Sequence, residues 1–135
     1  MAQTTVLVTG GAGFIGSHLV DRLFADGFRV VVVDSLVTGR RDRVHTDASF
    51  HELDLRSPRL AALVRVEKPE VVFHLAAAAS VVQSVCNPAR DARANVMGSL
   101  NLLQFARWER RLQRRERGRH DGQRCLHDTS SRTPT

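Results

Sequence analysis

The sequence predicts an α/β protein, a doubly wound parallel sheet truncated after about four strands. Three observations predict it. Short apolar runs rich in β-branched residues alternate with amphipathic stretches. A glycine-rich turn joins the first apolar run to the first amphipathic stretch. Four separate stretches, at Gly10, Asp34, Asp54 and Ala76, follow the ends of apolar runs. In a parallel sheet those ends converge on one crevice, where ligands bind.

Val6-Leu7-Val8 reads as a strand buried on both faces. After the turn, Ile15, Leu19, Leu23 and Phe24 recur at helical spacing, and Asp26-Gly27 ends that helix with glycine in its usual capping place. Phe28 to Val33 is a second buried run ending in Asp34. Ser35 to Arg40 is a polar loop with a turn glycine. Ser49 to Leu53 is a third strand, ending at Asp54-Leu55. Ser57-Pro58 opens a helix, because serine caps and proline suits the first helical position. Leu60, Leu63 and Val64 are its expected buried face, and Pro69 stops it. Glu70 to Leu75 is the fourth strand, followed by four alanines, Ala76 to Ala79. Asn87-Pro88 repeats the capping signal. The long helix after it carries Ala89, Ala92, Val96, Leu100 and Leu103 at three- and four-residue spacing and runs to about Phe105 or Ala106.

The turn itself reads Thr9-Gly10-Gly11-Ala12-Gly13-Phe14-Ile15-Gly16. Gly10 is suited to a positive φ and a sharp turn. Gly13 lets a pyrophosphate approach the backbone, and Gly16 lets the helix pack close to the strand. The helix N-terminus then offers unpaired N–H groups and a positive dipole end to an anion. Glycines also mark ordinary βα turns, but strand, turn, helix and acid occur here in the required order. Asp34 lies 18 residues beyond Gly16, near the ~20 expected for a carboxylate that binds adenosine ribose hydroxyls. A carboxylate there accepts from a free 2′-hydroxyl and repels a 2′-phosphate, which favours NAD over NADP. Arg40 and Arg41 argue the other way unless they form a solvated charged turn, the preferred reading. His74, inside an apolar strand, is read as a satisfied core histidine rather than a general base.

Length bounds the chain to one domain at most. No apolar run approaches the ~20 residues that span a bilayer, and no charged segment precedes the first apolar run as in a signal peptide. Cys86 and Cys125 make neither a disulfide framework nor a metal-ligand pattern, which fits a reducing cytosol. Charge is unevenly placed. Residues 1–106 hold 11 Lys or Arg against 10 Asp or Glu, whereas residues 107–135 hold 9 Arg against 4 acids. The division is therefore a near-neutral domain over 1–106 and an Arg-rich tail over 107–135.

From Val6 to Ala106 the sequence resembles the extended short-chain dehydrogenases, specifically the NAD-dependent epimerase/dehydratase family acting on nucleotide sugars. The matching stretches are Thr9–Asp21 (TGGAGFIGSHLVD), Val31–Gly39 (VVVDSLVTG), Asp54-Leu55, Phe73–Ala77 (FHLAA) and Asn95–Leu103 (NVMGSLNLL). Within the family it is most similar to the UDP-glucose 4-epimerase group. The resemblance implies a Rossmann fold and NAD as cofactor. It implies that Gly10, Gly13, Phe14, Ile15 and Gly16 hold the pyrophosphate. Asp34 would bind the adenosine ribose, with Ser35 and Thr38 nearby. Asp54 and Leu55 would flank the adenine, the aspartate accepting from its amino group. Leu75, Ala76 and Ala77 would line the dinucleotide path, and Asn95 would brace the site unless it is simply a polar helix residue. Ser80 and Ser84 lie where such proteins begin to meet the sugar, or are plain loop residues. Dimerisation in the family uses the long helix and a later one that carries the catalytic tyrosine, so a homodimer is in doubt here.

Family chemistry needs a tyrosine with a lysine four residues on, since a nearby ammonium favours the phenolate. The sequence contains no tyrosine and one lysine, Lys68, which precedes the fourth strand. No catalytic residue and no metal ligand is therefore assigned. Residues 107–135 show no apolar run and no period. Nineteen Arg against one Lys over the chain suggest GC-rich coding, in which a shifted frame yields arginine-rich, patternless sequence. The tail is read as such a product. Translating the other two frames past residue 107 should then reveal an apolar strand and Tyr-x-x-x-Lys. The rival readings are a genuine basic tail that binds polyanions, with Trp108 stacking on a base, and a non-catalytic NAD-binding regulator. Nucleic acid and membrane are not expected as partners. A nucleotide sugar is expected only in a full-length relative.

Overall fold

The computed structural model describes residues 3–105 and 107. Four strands form one parallel sheet in the order β3-β2-β1-β4: β1 Thr5–Thr9, β2 Arg29–Asp34, β3 Ser49–Glu52 and β4 Val71–His74. The chain order reverses between β1 and β4, whose last residues, Thr9 and His74, lie side by side. A crevice opens at such a switch point.

Alternation along the two central strands sorts the core into two layers. Val6, Val8, Val30 and Val32 face one side, where Val20 and Leu23 of α1 (Phe14–Ala25) meet them with Ala12, Val44 and Ala48. Leu7, Val31 and Val33 face the other, against Leu60 and Val64 of α2 (Arg59–Glu67), with Leu55 and Leu102. Between their terminal residues the central strands are thus apolar throughout, because both faces are covered.

The expected end signals operate. Gly27, at φ +84°, donates its N–H to Phe24 C=O while Phe28 N–H reaches Leu23 C=O, so α1 closes in a Schellman motif. Ser57 Oγ accepts the Arg59 N–H at 3.3 Å. Asn87 Oδ1 accepts the Arg90 N–H at 3.1 Å, with Pro88 in the first helical turn of α4 (Pro88–Ala92). At the end of α2, Lys68 takes the left-handed conformation (φ +46°) ahead of Pro69. A non-glycine residue there costs about 1 kcal/mol, so Lys68→Gly should raise stability by about 0.5–1 kcal/mol, read as an upward shift in chemical-denaturation midpoint at unchanged m-value.

Several expectations are corrected. Ile15 lies on the solvent side of α1, 71% exposed, and the buried face is Gly16, Ser17, Val20 and Leu23. The stretch around Ser80 and Ser84 forms a short helix, α3 (Val81–Cys86), whose N-terminal Gln83 N–H is capped by Ser80 Oγ. The long helix is not uniform: a π-helical turn, Arg93–Met97, separates α4 from regular helix over 98–105. His74 is not in the core. Among the described residues it lies on an edge strand, β4, and is more exposed than buried. Residues 108–135, including Trp108 and Cys125, lie outside the described residues. Among the described residues no helix is long and apolar enough to cross a membrane.

Candidate dinucleotide-binding site

The turn after β1 is shaped by what a side chain would strike. Gly10 has φ +72°, and a Cβ on it would fall 2.7 Å from the Ala76 amide nitrogen and 2.8 Å from the Leu75 carbonyl carbon. The chain leaving β4 therefore runs directly against the turn. A Cβ on Gly16 would drive into the Gly10 carbonyl oxygen, so α1 starts as close to β1 as backbone allows. Gly13 is different. Its φ and ψ suit any residue (−77°, 175°), and a Cβ would meet only the Gly10 carbonyl oxygen at 3.3 Å. Its missing side chain instead keeps open the space ahead of the helix. Gly13 is the N-cap of α1 and makes no side-chain cap, and no acid stands in the first turn. The N–H groups of Phe14 and Ile15 consequently point past Gly13 without an intrahelical partner, as an anion site requires.

Asp34, at the end of β2, is buried. Its Oδ2 accepts the Ala12 N–H at 3.0 Å and its Oδ1 accepts the Leu36 N–H at 2.9 Å. Two donors fix the carboxylate, and its oxygens offer about four lone-pair sites. Each oxygen thus retains acceptor capacity for a hydroxyl. Leu36 reaches this bond by adopting a left-handed backbone (φ +56°), a strained arrangement typical of ligand sites. Gly39 closes over the carboxylate, since a Cβ there would lie 2.8 Å from Oδ1 and 2.9 Å from Ala12 Cβ. Ser35 and Thr38 of the same loop face solvent.

The two arginines beside this loop are engaged elsewhere. Arg40 pairs with Asp42 at 2.6 Å, and Arg41 stacks its guanidinium on the Phe50 ring, 4.4 Å from the centroid. Neither is held against Asp34, which agrees with the solvated-turn reading.

Beyond β3, Asp54 is half-exposed and its carboxylate forms a bidentate pair with Arg56 (Nη2–Oδ2 2.6 Å). That guanidinium's hydrogen bonds hold the Asp54 carboxyl below the usual carboxylate range. The Leu55 side chain is buried in the core with Leu60 and Leu102. Only its backbone remains for the crevice, and its C=O accepts from Asn101 Nδ2 at 3.3 Å.

After β4, Leu75 N–H bonds Thr9 C=O at 3.0 Å, and Ala76 N–H reaches Thr9 Oγ1 at 3.4 Å. Leu75 and Ala77 are exposed, and Ala76 is partly buried. Asn95, in the π-helical turn, grips the next residue twice. Its Oδ1 accepts the Ala78 N–H at 2.7 Å and its Nδ2 donates to the Ala78 C=O at 3.0 Å. The structure thus brings Gly10, Gly13, Gly16, Asp34, Ala76 and, through Ala78, Asn95 to one end of the sheet. Thr9, Ala12 and Gly39 share the work although the sequence reading gave them no role. A threonine ending a buried strand and a glycine five residues past the acid were the available signals.

The sequence model of the NAD dependent epimerase/dehydratase family matches residues 6–132. The chain belongs to this family. UDP-glucose 4-epimerase of Mycolicibacterium smegmatis is 48% identical over 106 residues, 75% of this chain and 34% of that protein. UDP-glucose 4-epimerase of Thermotoga maritima, solved with UDP-glucose, superposes with a TM-score of 0.77 at 46% identity, covering 78% of this chain and 35% of that one. The Thermus thermophilus enzyme, solved with NAD, gives 0.76 at 46% identity over 78% and 34%. The chain spans about a quarter to a third of the length of the relatives it matches. Their shared sheet is the fold that carries the crevice described above.

Proposed function

We propose that the chain binds NAD in this crevice and is the cofactor-holding part of a nucleotide-sugar epimerase/dehydratase of the UDP-glucose 4-epimerase type. The observation that carries the reading is Asp34: a buried carboxylate with spare acceptor capacity on both oxygens, fixed beside an uncapped, glycine-lined helix N-terminus. The first feature suits a ribose diol and the second a pyrophosphate. NAD supplies a ring that accepts hydride from a sugar carbon. The chain's own residues bind and orient: the Phe14 and Ile15 N–H groups take the phosphates, Asp34 takes the ribose, and the Ala76–Ala78 segment walls the path toward the reacting end.

The proton of the oxidised hydroxyl needs a base. No tyrosine is present to serve, and Lys68 sits at the end of α2, before β4 begins and so at the opposite end of the strands from the crevice. We infer that these 135 residues bind the cofactor weakly and do not turn over alone. The sugar, the dimer and the tail over 107–135 belong to the same proposal. Exposed Val96, Leu100 and Leu103 on the long helix are consistent with a surface that further chain covers, and the exposed free thiol of Cys86 suits a reducing cytosol. The test pairs an NAD titration with a UDP-glucose/UDP-galactose interconversion assay on the purified chain. Saturable binding without turnover is expected. Turnover would overturn the incomplete reading, and absence of binding would overturn the cofactor reading.

A further inference from the structure

His74 stands outside the ligand-contacting residues, yet both its ring nitrogens are engaged. Nδ1 lies 2.6 Å from Thr9 Oγ1, and Nε2 lies 2.8 Å from Ser99 Oγ. The direction of each bond can be deduced. Ser99 Oγ lies 2.5 Å from the Asn95 carbonyl oxygen, which can only accept. The single Ser99 hydroxyl proton is therefore spent there. Ser99 Oγ must accept from the ring, which puts the proton of a neutral imidazole on Nε2. Nδ1 is then an acceptor, and the Thr9 hydroxyl proton goes to it. The remaining Thr9 Oγ1 lone pairs face the Ala76 N–H. Every donor in the chain has one acceptor, from the Ala76 amide to the Asn95 carbonyl.

We propose that His74 is a positioning residue for the dinucleotide crevice, linking the Thr9 hydroxyl that holds Ala76 to the Ser99 hydroxyl that holds the π-helical turn, whose Asn95 side chain holds Ala78. One ring on the edge strand thereby braces the 76–78 wall from both sides. The ring bonds β1 and the long helix at once, across β4. Partial burial, which pushes the His74 pKa down, keeps the ring in the neutral form the chain of bonds requires. Loss of Ser99 Oγ would break the ring's bond to the long helix, and the wall would loosen without any ligand-contacting atom being removed.

The inference rests on the proposed use of the crevice for NAD, so the test has a part that does not depend on NAD. In the free 135-residue protein, ¹⁵N NMR of the ring should show the neutral Nε2–H tautomer at pH 7. Amide exchange at Ala76 and Ala78 should accelerate about tenfold in Ser99→Ala and His74→Phe. It should stay near wild type in Ser99→Thr, which keeps the hydroxyl, and exchange in β1 and β2 should not change in any of the three. NAD affinity should fall about five- to tenfold in the first two variants and recover in the third. An Nδ1–H or charged ring, or unchanged Ala76 and Ala78 exchange in Ser99→Ala, overturns the bracing chain. Faster exchange with unchanged NAD affinity overturns the positioning role. If wild type binds no NAD while the NMR results hold, the cofactor reading fails and the bracing chain stands.

Discussion

Gly16→Ala is expected to be the most damaging glycine-to-alanine change among the described residues. The added Cβ would strike the Gly10 carbonyl oxygen and sit 2.8 Å from Gly11 Cα and 2.9 Å from the Gly10 carbonyl carbon, all backbone atoms. No side chain can rotate away, so α1 must lift from β1 and open the layer formed by Val20, Leu23, Val6 and Val8. Overpacking of this kind costs about 1–3 kcal/mol before any core is exposed, and opening that layer adds to it. Against a total stability of about 5–15 kcal/mol, the variant should unfold at a markedly lower denaturant midpoint or fail to accumulate as folded protein. Gly13→Ala is the informative contrast. Its backbone angles are open to alanine and its Cβ meets little. Stability should drop by no more than about 1 kcal/mol, the difference between glycine and alanine at an N-cap. NAD affinity should nonetheless fall steeply, because the methyl occupies the space in front of the Phe14 and Ile15 N–H groups. Circular-dichroism melts and NAD titrations on the two variants separate the glycine that shapes the fold from the one that shapes the site.

Asp34→Asn should weaken NAD binding by a factor of about 10–100. Hydrogen bonds to a charged group are worth about 1.5–3 kcal/mol each, and the amide replaces one of the two acceptor oxygens with a donor. That NH₂ would also confront the Ala12 or the Leu36 N–H, both of which now donate to the carboxylate. The loop over Gly39 should loosen and the left-handed Leu36 lose its compensation. The same substitution removes the charge that repels a 2′-phosphate, so the preference for NAD over NADP should shrink along with affinity. Unchanged NAD affinity in Asp34→Asn would show that the ribose lies elsewhere.

Much of this site was legible because its parts are backbone features that sequence encodes directly. Gly10 must be glycine for its angle and Gly16 for its clearance, and Asp34 closes a run of four valines that leaves no doubt about the strand. Capping residues marked the helix starts at Ser57 and Asn87 for the same reason. What was not legible depends on contacts between distant segments. The resemblance alone pointed to Leu55, and nothing local showed that Leu60 and Leu102, brought by two helices, hold its side chain in the core. The π-helical turn has no local signature, and its position coincides with the bonds Asn95 makes across to Ala78. α3 was missed because it is only six residues long, too short for an apolar period to register. His74 looked buried from its apolar neighbours, but in the described residues β4 is an edge strand, and the ring is satisfied by two hydroxyls instead of by a core.

Cofactor binding by this chain is tested most directly by calorimetric titration of the purified protein with NAD and, separately, with NADP. One saturable site for NAD, weaker binding of NADP, and loss of that preference in Asp34→Asn is the predicted result. No saturable binding of NAD, or equal binding of both dinucleotides by the wild-type chain, would contradict it.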